Sequence, residues 1–175
     1  MVDGNCFIEV LNTKTSYAEK VYISKFYSML LEFERNNKIQ IPEEWRIKDG
    51  CGYTQLVSIE KVKYSREHVC EICTSESLVY TSIMQNVLAF SPTEVKQYGF
   101  HGEVKYKYEK KNLYELAKED VACPLKMFDL ESVQSPMNVF KSVAIDIKEK
   151  RIPDMYQIIT KSGTYNCSNI YMPCE

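Results

Sequence analysis

Most of this chain is built of short runs rich in β-branched and aromatic residues, and that pattern limits its fold more than any other feature. Tyr53 to Tyr64, Leu78 to Phe90, Glu103 to Glu109, Leu113 to Leu116, Val139 to Ile147, Met155 to Thr160 and Thr164 to Cys167 all carry it. Such runs suit half-buried strands. Lys110-Lys111-Asn112 and Lys161-Ser162-Gly163 are the expected turns of two hairpins. Helical signals lie mainly at the other end. Ser16 with Glu19 forms a capping box, and Tyr22, Phe26, Met29, Leu30 and Phe33 follow at helical spacing up to Asn36-Asn37. The Phe26, Met29, Leu30 and Phe33 stripe is expected in the core, with Trp45 as a packing residue. Ser91-Pro92-Thr93-Glu94 predicts a second, shorter helix ending at Gly99. Helix in the first third and strand in the rest predicts an α+β fold. The expected arrangement is a single domain over 1–175, with a helical lobe over 1–50 and a mainly β lobe over 51–175. The loop Asp49-Gly50-Cys51-Gly52 divides them.

The chain has 175 residues, 45% of them hydrophobic, enough for one real core. Its net charge of −2 is spread over interspersed acids and bases, which gives no nucleic-acid footprint. The run Lys105 to Lys111 alternates with Val104, Tyr106 and Tyr108 and reads as a strand with one solvated face. No apolar stretch has the length of a membrane-crossing helix, and the N-terminus lacks the regions of a signal peptide. A monomer without membrane or nucleic-acid partners is expected. The seven cysteines are expected to be reduced. The sequon Asn166-Cys167-Ser168 is discounted on the same ground.

Asp3-Gly4-Asn5-Cys6-Phe7 is the motif richest in chemistry. If a helix begins near Asn5, its free N–H groups and dipole lie at Cys6, which favours the thiolate and offers donors for an oxyanion. Such a thiol needs a base, and the histidines are His68 and His101. His101, at the start of a strand, is the candidate. His68 suits a metal or turn role. His68-Val69-Cys70-Glu71-Ile72-Cys73 contains Cys-x-x-Cys, half of a zinc knuckle. Cys51 and Cys123 are the other ligands available, at irregular spacing. The plainer reading of Cys70 and Cys73 is two unpaired thiols in a strand. No cofactor is expected.

A cysteine at a helix start, a histidine at a strand start and a hairpin containing Leu113-Tyr114 together resemble the papain-like cysteine proteases. The likeness is strongest to the compact viral ones, the nidovirus papain-like proteases and the aphthovirus leader protease, and extends to cellular ubiquitin-specific proteases. The blocks that carry it are Asn5-Cys6-Phe7 and His101-Gly102-Glu103-Val104 through Asn112-Leu113-Tyr114-Glu115-Leu116. The pentad around Cys6 separately resembles ovarian-tumour-type deubiquitinases. The resemblance implies a two-lobed fold in which Cys6 attacks a carbonyl as thiolate and His101 protonates the leaving amine. The Cys6 N–H and the Asn5 side chain would form the oxyanion hole. The family's orienting acid falls at Ala117, so Asp120 or Glu115 takes that role, or none does. The implied substrates are a viral polyprotein and ubiquitin or ubiquitin-like proteins in the host cytoplasm, in the service of innate immune evasion. The alternatives are a non-catalytic viral host-interaction domain and a small zinc-stabilised binding module.

Overall fold

The computed structural model describes residues 1–50, 52–74, 77–98, 101–118, 125–128 and 140–174. In chain order these form β1 (Val2–Asp3), β2 (Phe7–Asn12), β3 (Tyr17–Tyr22), α1 (Ile23–Leu30) followed by a 3-10 turn (Leu31–Phe33), β4 (Glu34–Arg35), β5 (Lys38–Ile39), β6 (Trp45–Asp49) and β7 (Gly52–Lys63). Then come β8 (His68–Cys73), β9 (Leu78–Thr81), β10 (Asn86–Tyr98), β11 (His101–Asn112), α2 (Leu113–Lys118), β12 (Leu125–Phe128), β13 (Phe140–Glu149), β14 (Asp154–Thr160), β15 (Thr164–Cys167) and β16 (Ile170–Pro173). A 12-stranded curled sheet has the order β11-β10-β12-β13-β8-β9-β1-β14-β7-β6-β2-β3. The pairs β15-β16 and β4-β5 stand apart from it. Strand β1 lies inside the sheet, with Val2 opposite Thr81 of β9 on one side and Tyr156 of β14 on the other.

This is a mostly β architecture, and the expected α+β papain-like fold with a helical lobe over residues 1–50 is overturned. The reason lies in the partners. The capping box at Ser16 opens no helix, because Tyr17–Tyr22 pairs residue for residue with β2, from Asn12↔Tyr17 to Phe7↔Tyr22. Phe7 and Tyr22 also stack, their ring centroids 4.3 Å apart. Only from Ile23 does the chain turn helical. Ile23, Phe26 and Leu30 are buried on one face of α1, while Met29 is exposed. Trp45 packs edge-on against Phe26, centroid to centroid 5.3 Å. The expected lobe boundary at Asp49 is instead the tight turn between β6 and β7, where Asp49 pairs with Gly52 and Gly50 takes a positive φ of 64°; Cys51 lies outside the described residues.

The second expected helix is also strand. Ser91-Pro92-Thr93-Glu94 belongs to β10, and its register against β11 shifts between Pro92 and Glu94. Proline has no N–H to give a ladder, and such irregularities are where strands accept it. Gly99, the expected terminator, lies outside the described residues. Leu113–Leu116 is helical, and Asn112 is its cap, not a hairpin turn. The Asn112 Oδ1 accepts from the N–H groups of Tyr114 and Glu115 at 3.0 and 3.3 Å. Strands β7, β13, β14 and β15 fall where the alternation placed them. However, β14 pairs with β7 and β1 while β15 pairs with β16, so Lys161–Gly163 joins two sheets and closes no hairpin. Val2, Ile8, Ile23, Phe26, Ile158 and Tyr165 belong to the main core. Among the described residues no helix is long and apolar enough to cross a membrane.

Candidate functional site

The pentad around Cys6 is a turn between β1 and β2, and no helix starts there. A helix does arrive from elsewhere. The first two N–H groups of α1 donate to this turn, Ile23 to the Cys6 carbonyl at 3.0 Å and Ser24 to the Gly4 carbonyl at 3.1 Å. Helix ends leave such donors unpaired, and this turn satisfies them. The approach is close. A Cβ on Gly4 would lie 2.7 Å from Tyr156 Cε2 and 2.9 Å from Ser24 Cβ, so only glycine fits. The Cys6 N–H, expected as an oxyanion donor, already donates to the Asp3 carbonyl at 3.2 Å. Asn5 is exposed. His101 opens the edge strand β11 opposite Tyr98, while the strand that Cys6 precedes sits next to the other edge of the sheet order. Glu115 is exposed on α2, Ala117 half-buried, and Asp120 lies outside the described residues.

The Cys6 side chain, 1% exposed, forms a hydrogen bond with the fully buried thiol of Cys167. That bond, then burial, holds the Cys167 thiol well above its ordinary range. The buried hydroxyl of Tyr165 is likewise held well above its ordinary range, first by burial and then by the neighbouring thiols of Cys167, Cys174 and Cys6. The charge on this hydroxyl is therefore opposed both by burial and by nearby thiols.

The two ends of the sequence meet beside this cluster. Gln85 is 1% exposed, and its side chain is fully used. Its Oε1 accepts from the backbone nitrogen of Met1. Its Nε2 donates to the carbonyls of Asn86 at 2.8 Å and Pro173 at 3.1 Å. These partners fix which way the amide points, since the oxygen faces a donor and the nitrogen faces two acceptors. The Met1 carbonyl accepts from Ser82 N–H at 3.1 Å, so β1 is held from its first residue. Burial lowers the Met1 amine to about 6. On the other side, Cys174 N–H donates to the Gly163 carbonyl at 3.0 Å, and its Sγ lies 3.3 Å from Thr160 Oγ1. Thr160 Oγ1 itself donates to the Thr164 carbonyl at 2.7 Å.

Sequence reasoning placed none of Met1, Gln85, Pro173 or Cys174 in a site. They are at opposite ends and in the middle of the chain, with no shared motif. Spacing does not reveal them.

Among the described residues the zinc candidate does not assemble. Cys70 and Cys73 stand three positions apart on β8, which places them on opposite faces of a strand: Cys70 is buried and Cys73 exposed. Burial pushes the Cys70 thiol up to about 11. His68 is exposed, and Cys51 and Cys123 lie outside the described residues. Among the described residues no group of three or more His, Cys, Asp or Glu side chains is placed to hold a metal ion. Asn166 of the sequon is 8% exposed and uses its side chain both ways, accepting from Gly50 N–H at 2.9 Å and donating to the Gly50 carbonyl at 3.3 Å.

Solved structures share this fold over nearly their whole length. An intein from a hyperthermophile aligns with a TM-score of 0.65 at 14% identity, covering 98% of both chains. The fold is that of an intein. The VidaL intein aligns at 0.61 with 9% identity, over 98% of this chain and 94% of that one. The transcription factor IIB Mvu mini-intein aligns at 0.61 with 11% identity, over 98% of both. No family model matches the sequence, and no curated protein does. The papain-like resemblance is thereby corrected, and the expected deubiquitinase, viral polyprotein protease and immune-evasion roles fall with it. It rested on two short blocks, one a turn and the other part of a strand and helix in a different fold.

Proposed function

We propose that this chain is a self-processing domain, one that breaks or exchanges a peptide bond of its own chain. Inteins catalyse peptide-bond cleavage and splicing through cysteine or serine nucleophiles. The observation that carries the reading here is the Gln85 side chain, which joins residue 1 through its oxygen and residue 173 through its nitrogen. Chemistry at the two ends of a domain needs them held together, and converting a two-body encounter into a held geometry supplies much of a rate enhancement.

The two sides are not equivalent. The Met1 side chain is a thioether, whose sulfur has no proton to lose. The C-terminal side carries a thiol. The reading therefore calls for cleavage on the C-terminal side, where the Cys174 thiol lies. A purified fusion with a reporter domain on each end tests it, followed by gel and intact mass over days at neutral pH. Release of the C-terminal reporter with the N-terminal one retained is expected. Both reporters intact on a folded domain would overturn the reading.

A further inference from the structure

We propose that the bond this domain processes is Pro173–Cys174, and that Cys174 is the nucleophile in an N-to-S acyl shift. This rests on the self-processing reading and gives it an atom-level site. Cys174 carries a thiol on the residue whose nitrogen completes the Pro173 peptide bond, so attack on the Pro173 carbonyl closes a five-membered ring. Three neighbours suit that reaction.

The first is Gln85. Its Nε2 lies 3.1 Å from the Pro173 oxygen, where negative charge develops as the carbonyl becomes tetrahedral. A buried donor aimed at that oxygen is the arrangement that stabilises an oxyanion. The amide stays turned that way because its own oxygen is engaged by Met1. The second is Thr160. It donates its proton to the Thr164 carbonyl, so it faces Cys174 Sγ at 3.3 Å with a lone pair and receives the thiol proton. That orients the sulfur. The third is the Gly163 carbonyl, which accepts from the Cys174 N–H at 3.0 Å and holds the leaving nitrogen in place. Cys174 is half-buried, so a small solute can reach the product, whereas Cys6 and Cys167 are sealed in the core.

The step balances without any co-reactant. The S–C bond forms and the C–N bond breaks. The thiol proton finishes on the nitrogen, which becomes an amine, and Pro173 is left as a thioester on the Cys174 side chain. Water or an added nucleophile then takes the acyl group and frees the chain after Pro173.

Hydroxylamine provides the test. The 175-residue protein is incubated with hydroxylamine at neutral pH and followed by intact mass, beside a sample unfolded in urea. The expected product is the chain ending at Pro173 as its hydroxamate, formed only in the folded sample. Cys174→Ala is expected to abolish it, with circular dichroism unchanged because the residue is half-buried. Gln85→Met, checked for folding in the same way, is expected to slow it about 100-fold or more, and Thr160→Val less. No hydroxamate at Pro173, or one that survives Cys174→Ala or forms equally in urea, would overturn the inference. Cleavage of the reporter fusion at any other bond would overturn it while leaving the self-processing reading intact, and two intact reporters would overturn both.

Discussion

Replacing Gln85 with leucine should destabilise this fold by about 3 kcal/mol. The side chains are close in volume, so the change leaves little cavity and isolates the polar term. Three hydrogen bonds are lost, to Met1 N and to the carbonyls of Asn86 and Pro173. Each typical bond contributes about 1 kcal/mol net, and a buried partner left without one costs about 1–3 kcal/mol. Gln85 is 1% exposed and Pro173 is buried, while Met1 and Asn86 are half-buried, so the loss is taken as about three typical bonds. A loss of about 3 kcal/mol changes the folding equilibrium by about two orders of magnitude. Urea unfolding of both proteins measures it. Hydrogen exchange adds a local readout. The amides that pin the two ends, Ser82 N–H on the Met1 carbonyl and Cys174 N–H on the Gly163 carbonyl, should gain exchange rate well beyond those of the β7–β14 ladder. A loss under about 1 kcal/mol, or acceleration spread evenly over the sheet, would refute the view that this amide holds the ends.

Gly4→Ala should cost about 1–3 kcal/mol by overpacking, since the new methyl meets the Tyr156 ring and Ser24 Cβ. In a Tyr156→Leu background the same change should cost measurably less, and an unchanged cost in that double-mutant cycle would place the strain elsewhere. For Cys70 the ordinary thiol value of 9.0 rises to about 11 in the folded protein. The unfolded chain therefore loses this proton first, and its contribution to stability falls as pH climbs from about 9 to about 11. Urea midpoints taken through pH 8 to 10 should fall less steeply in Cys70→Val, and native Cys70 should resist maleimide at pH 8 while the exposed Cys73 labels.

Strand positions were legible wherever alternation met burial. In β14 the buried Met155, Tyr156, Ile158 and Thr160 belong to a run that could be read as strand without any partner. The same is true of β7. Helix signals misled because they are local and pairing is not. Ser16 and Glu19 have the chemistry of a cap, yet six rungs of pairing with β2 outweigh a preference worth about 1 kcal/mol. Pro92 looked like the first residue of a helix and instead sits beside an irregularity of the ladder. The Cys6 motif was legible as special and misread as chemical, since its glycine and carbonyls serve the start of α1. The candidate site was not legible at all. Gln85 is one amide among many polar residues, and its partners at positions 1 and 173 are brought to it only by the curled sheet.

The placement of β1 has a consequence for how the polypeptide is made. This strand is made before both of its partners, since its hydrogen-bonding edges belong to segments that follow much later, β9 around Thr81 and β14 around Tyr156. Pairings so distant in sequence are slow to form and leave apolar surface uncovered meanwhile. Val2, fully buried in the finished fold, must stay solvated or borrowed by a chaperone until β14 has emerged. A strand made before its neighbours is thus among the last to be secured, and nascent chains stopped short of residue 156 have an empty slot at the centre of the sheet.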